Sequence, residues 1–537
     1  MIKRLILLSI LTFGGFSISY SQSSPGIFKL NNKSSVKASN DNAPAGNSVT
    51  DMIIIGDTIW VGSGKGVSVS FNKGDTWTNF YNTPDFGTED ESAMGYYKGT
   101  FWVATAHTKE VNGQNVDQGS GLHYTTDNGE TWTNIPQPVD DPGDSLMVYG
   151  INDGVHNPEV RALPITVSEQ NVTYDIAFTP GTVWITSWSS GLRRSKDMGK
   201  SWQRVLLPSD NINSLKPTDT VNFSLQVQSG NFGPEAYLNH VAFSVISTND
   251  STLFVGTADG INKTTDANSQ YPSWVKFNHL NQDNPISGNF VVALGYNKSN
   301  NTIWSATWVA EGQTEFYGVS STTDEGNSWS TYLDGEKVHN FGFKNEDVIA
   351  ASDNGAFRSS NQGNSWIAPT SIIDQTNKLA VTERTFYSAG SQGNYVWLGS
   401  YDGLVRLNEQ SNMMWSGDWK VYFSSQHLSS NLETYAYPIP FSPRLDRLKI
   451  KYSTGGKSEN VTIRVFDFGM NLVKTVIQNV QRGNPVHEID NLNSSSNGVI
   501  DFWDGKNENG NIVPNGVYFY RVDVGDNKLF GKILVIQ

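Results

Sequence analysis

One eight-residue phrase recurs along the chain and narrows the available folds more than any other feature. Its key positions are Ser70, Asn72, Gly74, Thr76 and Trp77, and they return as Thr125, Asp127, Gly129, Thr131 and Trp132, then as Ser195, Asp197, Gly199, Ser201 and Trp202. Two further copies carry Thr322, Asp324, Gly326, Ser328 and Trp329, and Ser359, Asn361, Gly363, Ser365 and Trp366. All fit Ser/Thr-x-Asp/Asn-x-Gly-x-Ser/Thr-Trp. The physical content is a tight hairpin turn: the Asp or Asn oxygen accepts nearby backbone N–H groups, Gly supplies a positive φ, and Trp opens the next strand over the turn. Two degenerate copies, Thr264 and Asp266 running to Trp274, and Asn408 to Trp419, keep the final Trp and blur the turn.

A second phrase precedes each copy and aligns in columns. Trp60, Trp102, Trp184, Phe254, Trp304, Ile349 and Trp397 form a column of large apolar residues. Two residues on, Gly62, Ala104, Thr186, Gly256, Ala306, Ala351 and Gly399 are small and share the same strand face, because side chains alternate with period two. The next position is always hydroxylic: Ser63, Thr105, Ser187, Thr257, Thr307, Ser352 and Ser400. Large and small residues on one face suit sheets stacked face to face. Each unit reads as four short strands. One such sheet cannot bury both faces alone, whereas seven arranged radially bury each other. The expected fold is all-β, a seven-bladed β-propeller over 45–425 followed by a small immunoglobulin-like β-sandwich.

The turn motif resembles the Asp-box of bacterial neuraminidase (BNR) repeats, shared by sialidases, xyloglucan-type glycoside hydrolases, sortilin-like receptors and several non-catalytic propellers. The resemblance covers most of the chain and implies the fold rather than an activity. It also gives Asn72, Asp127, Asp197, Asp266, Asp324 and Asn361 a structural role, with a bound calcium as the minority reading and no other cofactor.

Lys3 and Arg4 precede an apolar run from Leu5 to Ile18, with small residues at Ser19 and Ser21. This reads as a secretory signal peptide over 1–21, followed by a polar segment over 22–44. With no cysteine in the chain, disulfides, thiolate metal sites and lipoprotein anchoring drop out. No later stretch reaches the roughly 20 apolar residues of a membrane helix. A net charge of −14 without clustered Lys and Arg argues against nucleic acid. The expected location is secreted or at the outer-membrane surface.

After a polar linker over 426–436, a new alternating pattern runs from Tyr437 to Gln537. Trp503, Asp504, Gly505, Asn507, Asn509 and Gly510, followed by Pro514, Asn515, Gly516 and Tyr518, resemble the FlgD-type immunoglobulin-like domain. The position of this module is also similar to that of the C-terminal sorting domains of type IX secretion cargo. That likeness implies outer-membrane secretion machinery as a partner; a plain immunoglobulin-like spacer is the alternative.

In a propeller, the turns between third and fourth strands open on one face, away from the axis. The second-to-third turns and the links between blades open on the other. Long segments fall there: 81–94, 107–119, 136–169, 208–240 and 310–316. Such loops on a rigid scaffold are usually binding surface. The residue after the hydroxylic column points to the same mouth, and its occupants include Trp188, Trp308, Asp353 and Tyr401. With His107 they are the candidate ligand-binding residues, the aromatics stacking on a sugar or peptide or, equally, packing under the long loops. A sialidase needs a cluster of three arginines and a tyrosine nucleophile. The resemblance predicts an Arg-Ile-Pro phrase before the first turn motif, and none is present. A two-carboxylate glycoside hydrolase or lyase needs less, and Glu89, Asp90, Glu91, Glu110, Asp117, Asp140, Asp141, Asp144, Glu311 and Glu315 lie in mouth-side segments. Two readings therefore remain: a non-catalytic propeller that binds glycan or protein, and a hydrolase using two of these acids.

Overall fold

The computed structural model describes residues 39–41, 43–228, 231–232, 238–309, 314–375, 379–381, 384–401, 403–410, 413–423, 434–444, 447–454, 458–483 and 499–537. The expected signal peptide, most of the polar segment after it and most of the linker lie outside the described residues. The chain forms two compact units. One runs to Thr370 and resumes over Arg384–Phe423; the other comprises Ser371–Glu383 and Ser424–Gln537.

The first unit holds seven antiparallel sheets whose strands lie side by side in chain order. Their innermost strands are Val49–Ile55, Asp90–Tyr97, Thr173–Thr179, Ala242–Ser247, Phe290–Asn297, Val338–Lys344 and Phe386–Gln392. Each packs on the next, and the seventh packs on the first, which closes a seven-bladed β-propeller. The large column is buried throughout, from Trp60 to Trp397. The small column receives the next blade: a Cβ on Gly62, Gly256 or Gly399 would run into Glu91, Val291 or Val49 respectively.

The blades are not identical. Blade 6 has three strands instead of the expected four, Val338–Lys344, Asp347–Ser352 and Gly355–Ser359, and its fourth shrinks to one bridge between Arg358 and Ile367. Pro369 follows and has no N–H with which to continue the ladder. Blade 1 gains an outer fifth strand, Ser39–Asp41, paired with Trp77–Asn79, and blade 4 gains Ser214–Leu215. Blade 7 is built wholly from residues 386–422, so no strand is exchanged at closure. Val49, Met52 and Trp77 of blade 1 instead share a buried cluster with Trp397, Leu404 and Tyr422 of blade 7.

The five regular turns are alike to within 0.1 Å in their defining contact: the Asp or Asn Oδ1 accepts from the backbone N–H four residues on at 2.9, 2.9, 2.9, 3.0 and 2.9 Å. The first hydroxyl of each motif accepts from the glycine N–H at 2.8–3.0 Å. Two successive residues take positive φ, for example Asn128 at 61° and Gly129 at 92°, and they turn the chain back within the connection between Gln114–Thr125 and Thr133–Ile135. The fourth copy keeps the same contact across its insertion, with Ser273 N donating to Asp266 Oδ1 at 2.8 Å. Each turn is also a joint between blades. A Cβ on Gly129 would lie 2.7 Å from Phe80 of blade 1, and Trp132 meets Trp60 edge to face at 6.0 Å. Trp366 meets Trp304 of blade 5 in the same way at 5.9 Å.

Every innermost strand breaks register at the same level, just before Asp51, Ala93, Asp175, Ser244, Ala293, Asn340 and Ser388. Such bulges bend the strand and leave a backbone group unpaired. Asp51, Asp175 and Asn340 answer with Oδ1, each accepting from the following N–H at 2.8 Å. The same level ties blades together around the axis: Val245 N donates to Asp175 Oδ2 at 2.8 Å, and the Ser244 hydroxyl donates to Val291 O at 3.3 Å.

In the second unit, a three-stranded and a four-stranded antiparallel sheet enclose one core containing Phe441, Tyr452, Trp503 and Tyr520. The Trp503 indole N–H donates to Lys506 O at 2.9 Å, and the Tyr518 hydroxyl donates to Pro514 O at 2.8 Å. These two bonds fix the turn-rich segment between Trp503 and Gly516.

Candidate functional site

The propeller end opposite the turn motifs is where the blades diverge. In blades 1, 4, 6 and 7 the hydroxylic column closes a tight second-to-third turn by donating to a carbonyl three residues on, as in Ser400 to Gly403 O at 2.8 Å. In blade 2 the same column precedes a ribbon instead. Residues 107–119, expected as a loop, continue as paired strands Thr100–Val111 and Gln114–Thr125. The link after blade 2 folds into a hairpin, Leu146–Val148 with Glu159–Arg161, and is pinned by Asp140. Asp140 is buried with Arg193 at 2.7 Å and Arg204 at 3.4 Å, so it is not available to a substrate as a free acid. Arg194, next in line, reaches the turn end and donates to Ser269 O at 2.7 Å.

The candidate residues separate into two arcs around this mouth. Trp308 belongs to one buried apolar cluster with Val241, Phe243, Ala258 and Phe290, and the partly buried Trp188 packs against it, its ring 5.7 Å from that of Phe243. Trp308 is 7% exposed and donates its indole N–H to Val338 O at 3.2 Å. The Lys337 ammonium lies 5.5 Å from the Trp308 ring and 4.9 Å from that of Tyr317. Asp353 accepts from His339 Nε2 at 2.7 Å, a bond that first among several causes holds its carboxyl below the usual range. The His339 ring stands edge-on to Trp308 at 5.9 Å and to Tyr387 at 5.0 Å. Tyr401 is 45% exposed, the most open of the candidate aromatics. His339, Lys337 and Tyr387 escaped the sequence reading because their positions around Trp308 come from other blades.

The second arc is acidic and polar. His107 lies in a cleft of about 580 Å³ on blade 2, lined also by Glu89, Gln118, Ser120, Gln137 and Glu169. His107 Nδ1 is 2.8 Å from both Glu89 Oε2 and Ser120 Oγ, and the Ser120 hydroxyl donates to Glu89. A nucleophilic serine would sit on one ring nitrogen and the acid on the other. Here both share Nδ1, which excludes Ser120 as the nucleophile of a triad. Nearer the axis, Asp51 and Asp175 are half-buried and Glu91 is buried. Burial, then the neighbouring Asp175 carboxylate, pushes Asp51 up to about 7, and burial pushes Asp175 up to about 7. Burial and the Asp51 charge raise Glu91 well above the usual range, while the Thr50 hydroxyl donates to it at 2.7 Å. A signal for the axial acids was present: Asp51, Asp175 and Asn340 each stand nine residues before their large-column partners Trp60, Trp184 and Ile349.

The turn carboxylates are saturated by their own motif. Asp127 is held at about 2 by the Thr131 hydroxyl, the Thr131 N–H and the Thr125 hydroxyl. Among the described residues, no group of three or more His, Asp or Glu is arranged to hold a metal ion. No helix among them is long and apolar enough to cross a membrane.

No family model matches the chain, and no curated protein matches it. Among solved structures it is similar to the GH74 xyloglucanase of Xanthomonas campestris, at 11% identity and TM-score 0.44, covering 77% of this chain and 59% of the enzyme. It is similar to YCF48 bound to a D1 peptide at 13% identity and TM-score 0.39, covering 70% and 96%. It is also similar to PorZ, a surface component of the type IX secretion system of Porphyromonas gingivalis, at 16% identity and TM-score 0.32, covering 91% and 75%. These are likenesses of strand layout at low identity, and they assign no ligand.

Proposed function

We propose that the protein is an exported binding propeller of the Asp-box type that recognises a glycan or a protein at its loop-rich face. Its C-terminal unit is a FlgD-type immunoglobulin-like module serving secretion or surface display. The observation that carries the binding assignment is the concentration of insertions at one end of the ring, held there by structure of their own. The blade 2 ribbon is paired along its length, the following link is anchored by the buried Asp140 pair, and the aromatic cluster of Trp188 and Trp308 underlies the rest. Rigid insertions around a shared mouth suit recognition, since ordering costs have been met before a ligand arrives. Three of the carboxylates there are engaged: Glu89 with His107, Asp353 with His339, and Asp175 with backbone N–H groups.

Binding is tested by screening the full chain on glycan and peptide arrays, with product analysis on every hit; turnover of a bound saccharide would replace the binding reading with a hydrolase. Export is tested by removing Tyr437–Gln537 and following where the product accumulates. Retention inside the cell envelope is expected, and unchanged release would overturn the sorting role.

A further inference from the structure

The hairpin that follows blade 2 has one covered edge and one open edge. Leu146, Met147 and Val148 pair with Arg161, Val160 and Glu159. Ala162 N donates to Ser145 O at 2.9 Å and Tyr149 N to Pro158 O at 2.8 Å, so Ser145, Met147 and Tyr149 turn their backbone groups into the hairpin. In an antiparallel ladder the residues between them turn theirs the other way. Leu146 and Val148 therefore present N–H and C=O groups outward, and these have no protein partner among the described residues. The opposite edge is closed: Leu225 N donates to Arg161 O at 2.7 Å, and Leu163 N to Leu225 O at 3.3 Å.

The side chains set this edge apart. Leu146 is 52% and Val148 50% exposed, and Ile151, Val155 and Leu163 of the same hairpin and its flanks are exposed too. The outer strands of the blades present polar residues instead, such as Thr133 and Asn134 in blade 2 or Asp418 and Lys420 in blade 7. An exposed apolar strand with unpaired backbone groups is a template for one more strand.

We propose that this edge receives an extended segment of a partner protein, which adds as a strand alongside Leu146–Val148. The inference rests on the reading of the loop-rich face as a binding surface and names the partner chemistry at one part of it. The partner backbone supplies the hydrogen bonds, and apolar side chains at alternate positions lie against Leu146 and Val148. Charge specifies what flanks them. From Val139 to Val160 the chain carries Asp140, Asp141, Asp144, Asp153 and Glu159 and no Lys or Arg. Asp140 is engaged by Arg193 and Arg204, whereas Asp141, Asp144, Asp153 and Glu159 are exposed. Lys or Arg beside the apolar positions of the partner complements these acids, while a second copy of this chain would set the same acids against each other.

The test uses an array of immobilised peptides about ten residues long, with Val, Leu or Ile at alternate positions and either Lys or Glu at both ends. It is probed with the full chain and its Val148→Pro and Leu146→Asp variants. Val148→Pro removes an outward N–H and leaves the hairpin bonds, which use its neighbours. Each variant is first checked for an unchanged thermal unfolding profile, and Leu146→Asp carries the test if Val148→Pro does not fold. Preference for Lys-ended peptides, with affinity falling tenfold or more in the variants, supports strand addition. N-methylation of every second peptide N–H should then abolish binding in one phase and spare it in the other. Bound peptides unaffected by both variants overturn the edge assignment and leave the binding face standing. No bound peptide overturns the partner assignment, and the glycan array then decides whether the face binds at all. A wild-type dimer in sedimentation velocity that Val148→Pro dissociates overturns it in favour of a second copy.

Discussion

The two ends of the propeller are built from the same strands and obey different rules. At the turn end, contacts close within eight residues, so five copies agree to a tenth of an ångström and even the interrupted fourth copy preserves the bond to Asp266. At the mouth, partners come from far along the chain, as in Asn340 Nδ2 donating to Asp51 Oδ1 at 3.3 Å or Arg193 meeting Asp140. The first end determines how blades join. The second also joins blades at the bulge level, as in Val245 N to Asp175, and it is the loops beyond that level that differ from blade to blade.

If blade packing belongs to the large column and the turn joints, the largest effect should come from Trp397→Ala, which empties the seam between blades 7 and 1. A loss of about 3–5 kcal/mol is expected for a buried Trp, read from urea unfolding, and a loss below about 1 kcal/mol would contradict closure by side-chain packing.

Protonation separates the two ends next. The axial Asp51 and Asp175 have folded-state values near 7, above the 3.8 expected for an unfolded Asp. The folded state then holds more protons between these values, so stability falls as pH rises from about 4 to about 7. At the turn end the sign is opposite. Asp127 and Asp197 are held at about 2, first by side-chain hydrogen bonds, and Asp324 stays at about 2 although burial opposes its hydrogen bonds. Their contribution is present above about pH 4 and is lost as pH falls towards 2. Calorimetry across pH 2 to 8 should therefore show a maximum near pH 4 to 5. Asp51→Asn should flatten the neutral limb, and a curve unchanged by it would refute the axial assignment.

A smaller effect is expected from Asp127→Asn. Asn72 and Asn361 already make the same turn contact, so the melting temperature at pH 7 should shift by no more than a few degrees, while part of the acid limb disappears. Smallest of all for stability is Tyr401→Ala, within about 0.5 kcal/mol for an exposed site. If that variant also leaves array binding intact, Tyr401 is not part of the recognition surface.

The same contrast governs what could be read from the chain. Blade number and the turn geometry follow from residues spaced by two to eight, such as Asp127 with Thr131 or Trp60 with Gly62. Blade 6's missing fourth strand was hidden because Asn361, Gly363 and Trp366 keep the motif while Pro369 ends the ladder behind it. Trp308 was legible as a mouth residue, but not its burial beside Phe243 and Phe290, nor His339 and Lys337 around it, since these meet only after the ring closes.

The seam between the first and last blades has one further consequence. Each of the other blade-to-blade boundaries is crossed by a peptide link, whereas this one is held by non-covalent contact alone: apolar packing among Val49, Met52, Trp77, Trp397, Leu404 and Tyr422, with polar bonds such as Gly403 N to Asn47 O at 2.8 Å and Lys420 to Asp75 at 3.4 Å. Under tension or heat the ring should part there first, opening like a bracelet at its clasp with the remaining blades still strung together.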